Sequence, residues 1–312
     1  MRGFTDHIYR NTFSEHFGGY DLAVAPFIVD VAGGKIGTKH VKGLMPEDNT
    51  GMPVVPQILS KSADRFIALA NYLFDLGYET VNWNLGCPFP MVVKKKRGSG
   101  LLPHIDLITA FLDKVMAAIK GRLSIKTRLG LKVKDDIFKL IPVLNRYPLD
   151  EIIIHPRIGI QRYAGEVDLS AFEACLTEID HPVVYNGDIR SVADINGLIK
   201  RFPGVNRWMI GRWALVDPFL AMMIKTGDGI PADRIEQMRQ FHDVLFKRYQ
   251  KILFGPSHIV NKMKGFWQYF SKPYEGPQNP MKKIKKARTP EQYLDLVERF
   301  FESQAIASAQ RQ

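Results

Sequence analysis

Cys87 sits in the run Asn84-Leu85-Gly86-Cys87-Pro88, where apolar residues give way to a Gly-Cys-Pro corner. An ordinary thiol titrates near pH 8.5, so at neutral pH it holds its proton unless a base or helix dipole draws it off. Placed at a strand's carboxyl end, Cys87 is therefore better suited to give a proton than to attack as a thiolate. The corner runs into Lys94-Lys95-Lys96-Arg97 and then Gly98 and Gly100. That run reads as a flexible cationic rim, suited to a polyanionic substrate. Alone, a cysteine is usually core and a charge run usually a solvated surface; side by side they point to function.

A second set of residues reads as an anion site. Asn186-Gly187-Asp188 and Gly211-Arg212 each follow a short apolar run. Parallel barrels commonly bind phosphate between the loops after their seventh and eighth strands, on backbone N–H groups that glycine lets approach closely. Arg212 adds a charge-assisted contact. In Leu123-Ser124-Ile125-Lys126-Thr127-Arg128, alternation puts Ser124, Lys126 and Arg128 on one face. An inward ammonium needs an anionic partner, and a flavin ring supplies one when reduced. His155 and Gln57, each placed at a strand, join Lys126 as candidate contacts to that ring.

These residues need elements to hold them. Strand candidates are 22–27, 54–59, 80–85, 123–128, 151–155, 183–186 and 207–210, with helical patterns over 62–76, 107–119, 137–145 and 192–201 between them. Apolar strands alternating with helices predict an α/β chain with a parallel sheet, a (β/α)8 TIM barrel whose first strand is truncated, since residues 1–6 already read as the loop following it. Residues 226–231 form the linker. Helical spacing returns over 234–249, 258–269 and 290–305, which gives two units: 1–231, a catalytic barrel, and 232–312, a small all-helical C-terminal domain.

Charge divides along the same line. The 312 residues carry +11, and residues 232–312 hold 15 basic and 8 acidic side chains, +7 of that total. Lys282-Lys283-Ile284-Lys285-Lys286-Ala287-Arg288 is the densest stretch, and Phe266, Trp267, Tyr269 and Phe270 interleave with Lys262, Lys264 and Lys272. Helical spacing of those aromatics equally suits a core. A basic module beside a nearly balanced body favours nucleic acid as partner. Two cysteines without C-x-x-C spacing predict neither a metal site nor a disulfide framework. With no apolar run of membrane-spanning length and no apolar leader core at the amino end, no membrane association is expected, and the cytoplasm is the expected location.

At this point the chain resembles the tRNA-dihydrouridine synthases along almost its whole length. Asn84-Leu-Gly-Cys-Pro with Gly98-Ser-Gly-Leu-Leu resembles the family's active-site segment. Ile125-Lys-Thr-Arg-Leu-Gly, His155-Pro-Arg, Tyr185-Asn-Gly-Asp-Ile and Met209-Ile-Gly-Arg resemble its flavin-binding segments in the same order, and Met1-Arg-Gly-Phe-Thr-Asp its first motif. The resemblance implies a TIM barrel with a short helical tail, FMN as cofactor, NADPH as reductant and tRNA as substrate; a monomer is expected, although the sequence does not reveal oligomeric state. It implies that Cys87 protonates uracil C5 as hydride reaches C6, that Asn84 touches the base or the flavin, and that Tyr163 lies near the uracil. Gln57, Lys126 and His155 match ring contacts; Asn186, Gly187, Asp188, Gly211 and Arg212 match the ribityl and phosphate end. Lys94, Lys95, Lys96 and Arg97 would grip the RNA. The sequence departs from the family pattern in starting at the first motif's methionine and in placing Pro156 where glycine usually follows the histidine.

Two other readings share parts of this pattern. Another FMN barrel, of the dihydroorotate dehydrogenase or ene-reductase type, needs Lys126 and the phosphate site but not the lysine-rich rim or basic tail. A non-catalytic RNA-binding protein needs the charge but not Cys87, Lys126 and Arg212 together.

Overall fold

The structure is a computed structural model that describes residues 1–31, 36–274 and 279–309. Its strands are β1 (Ala23–Val24), β2 (Ile28–Val29), β3 (Val54–Val55), β4 (Gln57–Leu59), β5 (Thr80–Asn84), β6 (Arg122–Gly130), β7 (Ile152–Ile158), β8 (Val183–Tyr185) and β9 (Arg207–Trp208). All pairings are parallel, in the order β2-β4-β5-β6-β7-β8-β9, and β1 pairs with β3 alongside the β2–β4 edge. Pro56 divides the predicted strand 54–59 into β3 and β4, whereas the predicted strand 22–27 holds only β1, and the barrel strand β2 begins just beyond it, after Pro26. A proline has no N–H to give the ladder. The described sheet therefore has seven barrel strands, as the sequence pattern predicts, within the (β/α)8 barrel architecture.

Helices over Ala63–Asp75, Ile105–Met116, Asp136–Leu144, Leu169–Glu178 and Val192–Arg201 cover the outside of the sheet. Each amphipathic helix turns its apolar stripe inward. Phe66, Leu69 and Leu73 from the first, and Phe111 and Leu112 from the second, pack onto Val81 and Trp83 of β5, where the Trp83 indole stacks on Phe111 at 3.9 Å between ring centroids. Deleting one such Leu side chain would cost about 2–5 kcal/mol.

The other face of β5 is polar. Asn84 Nδ2 donates to Gln57 Oε1 at 2.6 Å, Gln57 Nε2 to Asn82 Oδ1 at 2.8 Å, and Asn82 Nδ2 to Ser124 Oγ at 2.8 Å. This buried chain of amides threads the barrel interior from β4 to β6, with each amide both giving and taking a bond, so no polar group there is left stranded.

A second core gathers the helices beyond the barrel. Arg234–Gln250, Pro256–Phe270 and Pro290–Ala309 pack together, and they also take in the first helix, His7–His16, through Ile8, Tyr9 and Phe13. Tyr9 stacks on Phe266 at 5.4 Å. Phe266, Trp267 and Phe270 are completely buried, so of the two roles open to these aromatics they fill the core one and offer no stacking surface to RNA. The lysines between them are also engaged: Lys262 donates to Asp6 and to Gly3 O, and Lys264 to Ala287 O.

Candidate active site

Parallel register sets the site. Asn84 pairs with Lys126, and Arg128 with His155, so four polar side chains converge at the carboxyl ends of β5, β6 and β7. Gln57 on β4 joins them through Asn84.

The thiol corner is held from three sides. Asn84 Oδ1 accepts from the backbone N–H groups of Gly86 at 3.1 Å and Cys87 at 2.9 Å, so the strand's last side chain folds back to cap the turn. Cys87 O accepts from Ser99 N and Ser99 Oγ, both at 3.1 Å. Gly98, at φ +55°, lies so close that a Cβ there would fall 2.7 Å from Cys87 O, which makes glycine obligatory at that position. Burial pushes the Cys87 thiol above its ordinary range, and the Phe89 N–H and nearby Arg128 only partly oppose this. The thiol keeps its proton, as an acid must.

Arg128 is the clamp behind that corner. Its guanidinium is 2 % exposed and donates from Nε to Gly86 O at 3.0 Å, from Nη1 to Ile158 O at 3.0 Å and from Nη2 to Arg162 O at 2.7 Å. One side chain thus ties the Cys87 loop to the loop that carries Tyr163. Every partner is a neutral carbonyl, and burial lowers even this arginine to about 10.

Lys126 Nζ donates to Asn186 Oδ1 at 2.6 Å, and Asn186 Nδ2 donates to Met209 O at 2.8 Å, bridging the ends of β8 and β9. Among the described residues no carboxylate pairs with Lys126. Burial, and then Arg128, bring its ammonium from the ordinary 10.5 down to about 7. An ammonium facing only a neutral amide and a second cation calls for an anionic ligand.

His155 is fixed by Arg157. The buried Arg157 Nη1 lies 3.1 Å from His155 Nε2 and 3.2 Å from Asp188 Oδ1, while Nη2 reaches Asp188 Oδ2 and, at 2.6 Å, Gly165 O. A guanidinium can only donate, so His155 Nε2 accepts and the ring proton sits on Nδ1. Burial, followed by the charges of Arg128, Lys126, Arg157 and Arg212, holds the imidazole neutral.

The expected phosphate end is arranged around Asp188, a residue at φ +39°. Arg157, Arg190 at 3.2 Å and Arg212 at 3.3 Å all pair with its carboxylate. Burial opposes ionisation of Asp188, but the Arg157 hydrogen bonds and the three charges outweigh it and keep the carboxyl below its usual range. Arg212 also lies over the Tyr163 ring at 4.3 Å. Gly211 borders open space, whereas Gly187 is packed against Val167 and Tyr185, where a Cβ would come within 2.9 Å of Val167 Cγ1. The two glycines therefore differ: one leaves room for a ligand, the other for a close turn.

Lys94, Lys95 and Lys96 are exposed, but Arg97 is not part of their rim. It turns inward, with Nη2 2.7 Å from Asp30 Oδ1, a carboxylate that also accepts from Ser60 Oγ at 2.7 Å. The rim is accordingly less loose than its glycines suggest, because Pro90–Val93 forms a helical turn and Gly98–Leu101 a 3-10 turn. The sequence assigns roles to Lys126, His155 and Asp188 and sets Arg128 on the Lys126 face without a role, and it gives none to Arg157; Arg128 ties the two loops together and Arg157 orients His155 and Asp188. The available signal was the same alternation that selected Lys126, extended two residues along each strand. Among the described residues no cluster of His, Cys, Asp and Glu could hold a metal ion, and no helix is long and apolar enough to cross a membrane.

Comparison with known proteins places this geometry. The family model described as "Dihydrouridine synthase (Dus)" matches residues 1–304. A Cupriavidus necator protein named "tRNA-dihydrouridine(16) synthase" is 28% identical over 75% of this chain and 74% of its own. A Vibrio vulnificus protein of the same name is 27% identical over 88% and 87%. Among solved structures, the old yellow enzyme homologue of Zymomonas mobilis overlays with a TM-score of 0.53 at 13% identity, covering 75% of this chain and 87% of its own. At that identity the likeness concerns the barrel alone.

Proposed function

The chain belongs to the dihydrouridine synthase family, and from that premise we propose that it reduces the C5–C6 double bond of a uridine in tRNA, with Cys87 as the general acid, FMN as cofactor and NADPH as reductant. Position 16 is the uridine we assign, because the relatives at 27–28% identity carry that position in their names. The observation that carries the reading is the Cys87 thiol, pushed by burial above its ordinary range and held by Asn84, Ser99 and Gly98 beside a lysine that, among the described residues, has no carboxylate.

The residues present suit a flavin mononucleotide. Lys126 offers an unmatched cation to an electron-rich ring, Gln57 an amide edge, and His155 a donor at Nδ1. Gly211 leaves room for a phosphate that Arg212 can reach, since its side chain is only about two-thirds covered. Bound there, a flavin supplies hydride to C6.

The remaining work falls to the chain. Cys87 holds a proton until charge develops at C5 and then releases it; a positioned acid of this kind contributes about a hundredfold to ten-thousandfold. Burial keeps the proton on the thiol until then, and the Phe89 N–H and Arg128, which favour the thiolate, ease its release. Arg128 keeps the thiol loop and the Tyr163 loop at a fixed separation, and Tyr163, with Arg212 over its ring, forms one wall of the mouth. The Lys282–Arg288 stretch and Lys94, Lys95 and Lys96 attract the tRNA backbone, and the base leaves its stack to enter. Purified protein given FMN, NADPH and an unmodified tRNA transcript tests this reading. Dihydrouridine is expected at position 16, and its formation at another position would overturn the positional assignment alone.

A further inference from the structure

Just past Cys87 the chain builds a knob that the reaction itself does not require. Phe89 is 59% exposed and Met91 67%, with Pro90 also exposed between them, while Val92 on the opposite side is buried. Large apolar side chains this open are ordinary when scattered. Here they cluster on one helical turn, Pro90–Val93, whose base is fixed at both ends. At the start, Asn84 and Ser99 hold Cys87. At the end, Arg97 is locked to Asp30. Lys94, Lys95 and Lys96 follow immediately and are exposed. The result is an apolar tip with a basic flank, close along the chain to the acid.

We propose that Phe89, with Met91 beside it, is a stacking wedge for RNA: when the target uridine leaves its stack and reaches Cys87, Phe89 covers the face of the neighbouring base that the uridine vacated, and the lysine flank holds the adjoining phosphates. The inference rests on the reading of the site as one that acts on tRNA, and it adds the surface that keeps the base extruded. Three physical points support it. An unstacked neighbour exposes an apolar base face that an aromatic ring covers without regard to sequence. A knob anchored at both ends presents that ring without an ordering cost at the moment of binding. Its lysines supply charge complementary to a polyanion, which favours RNA over a second copy of this basic chain.

The test compares wild type, Phe89→Ala and Phe89→Trp on a folded tRNA and on a short single-stranded oligonucleotide of the same local sequence, reading both binding affinity and dihydrouridine formation. The backbone N–H that Phe89 gives to Cys87 survives both substitutions, and alkylation of Cys87 at fixed pH reports whether the thiol corner is intact. Loss of one base stack predicts a five- to hundredfold fall in kcat/KM on folded tRNA for Phe89→Ala, by the roughly 1–3 kcal/mol that such stacking is worth. The fall on the single strand should be smaller by about fivefold or more, with Phe89→Trp near wild type and alkylation unchanged in both. Equal losses on the two substrates, or none, would overturn the wedge while leaving the enzyme reading in place. If wild type binds tRNA but does not reduce it, the reaction reading fails, and the wedge is then decided by affinity alone: weaker binding of folded tRNA by Phe89→Ala supports it, and equal binding overturns it. If wild type does not bind tRNA, both fail; concentration-dependent self-association abolished by Phe89→Ala would mark the knob as a contact between copies instead.

Discussion

Lys126 should make the affinity for reduced flavin fall as pH rises, and Lys126→Met should remove that dependence. In the ligand-free protein the ammonium titrates at about 7, against 10.5 in an unfolded chain. Because the folded value is the lower one, the unfolded chain binds more protons between those two pH values. Stability of the ligand-free protein therefore rises with pH across this window, by at most about 1.4 kcal/mol per unit. Reduced FMN, whose ring is anionic, reverses the effect by restoring the ammonium's proton, so its binding takes up about one proton near pH 8–9. If the bound value lies at about 10 or above, the apparent dissociation constant for reduced FMN should increase roughly twentyfold between pH 7.5 and 9. His155 leaves that window clear, because burial and the surrounding cations hold it neutral. Anaerobic calorimetric titration with reduced FMN over the pH range, in buffers of different ionisation enthalpy, measures both the slope and the proton. Lys126→Met should bind more weakly at neutral pH with a nearly flat profile. A flat wild-type profile, or an equal slope in the variant, would refute the assignment of Lys126 as the ring's cationic partner.

Cys87→Ala should retain FMN and NADPH oxidation while dihydrouridine formation drops by about two to four orders of magnitude in single-turnover assays. Removing the guanidinium in Arg157→Met leaves His155 Nε2 without its donor, so nitrogen NMR of labelled histidine should show the Nδ1–H form in wild type and a mixture in the variant. The same substitution breaks one of three pairs with Asp188 and should cost about 1–3 kcal/mol in chemical denaturation, since Arg190 and Arg212 still face the carboxylate. Replacing Lys282, Lys283, Lys285 and Lys286 together with Ala should flatten the salt dependence of tRNA binding, since each phosphate no longer neutralised lowers the log–log slope by a little under one. Filter binding at several salt concentrations measures that slope, and an unchanged slope would remove this stretch from the interface.

The seven barrel strands were legible because short apolar runs bounded by Gly and Pro recur between amphipathic helices, and each lies close to its predicted range. Cys87 and Lys126 were legible for a similar reason, since a thiol in a Gly-Cys-Pro turn and a lysine in an apolar strand break the local pattern. Arg128 and Arg157 break it equally, but what they do depends on groups contributed by loops 30 or more residues away, which no local spacing reveals. The first helix was harder still. Its apolar face packs on Phe241 and Phe266, more than 200 positions along the chain, so its partner is tertiary and its own sequence names no destination. Arg97 shows the limit from the other side: it reads as one more charge in a basic run until Asp30 is folded beside it.

The central claim is that this barrel delivers hydride and a Cys87 proton to a uridine in tRNA. Mass spectrometry of an unmodified tRNA transcript, after incubation with the purified protein, FMN and NADPH, tests it most directly. One nucleotide of the D-loop should gain the mass of two hydrogen atoms with wild type and not with Cys87→Ala. No mass gain from a protein that holds FMN and binds the transcript, or an equal gain with Cys87→Ala, would contradict it.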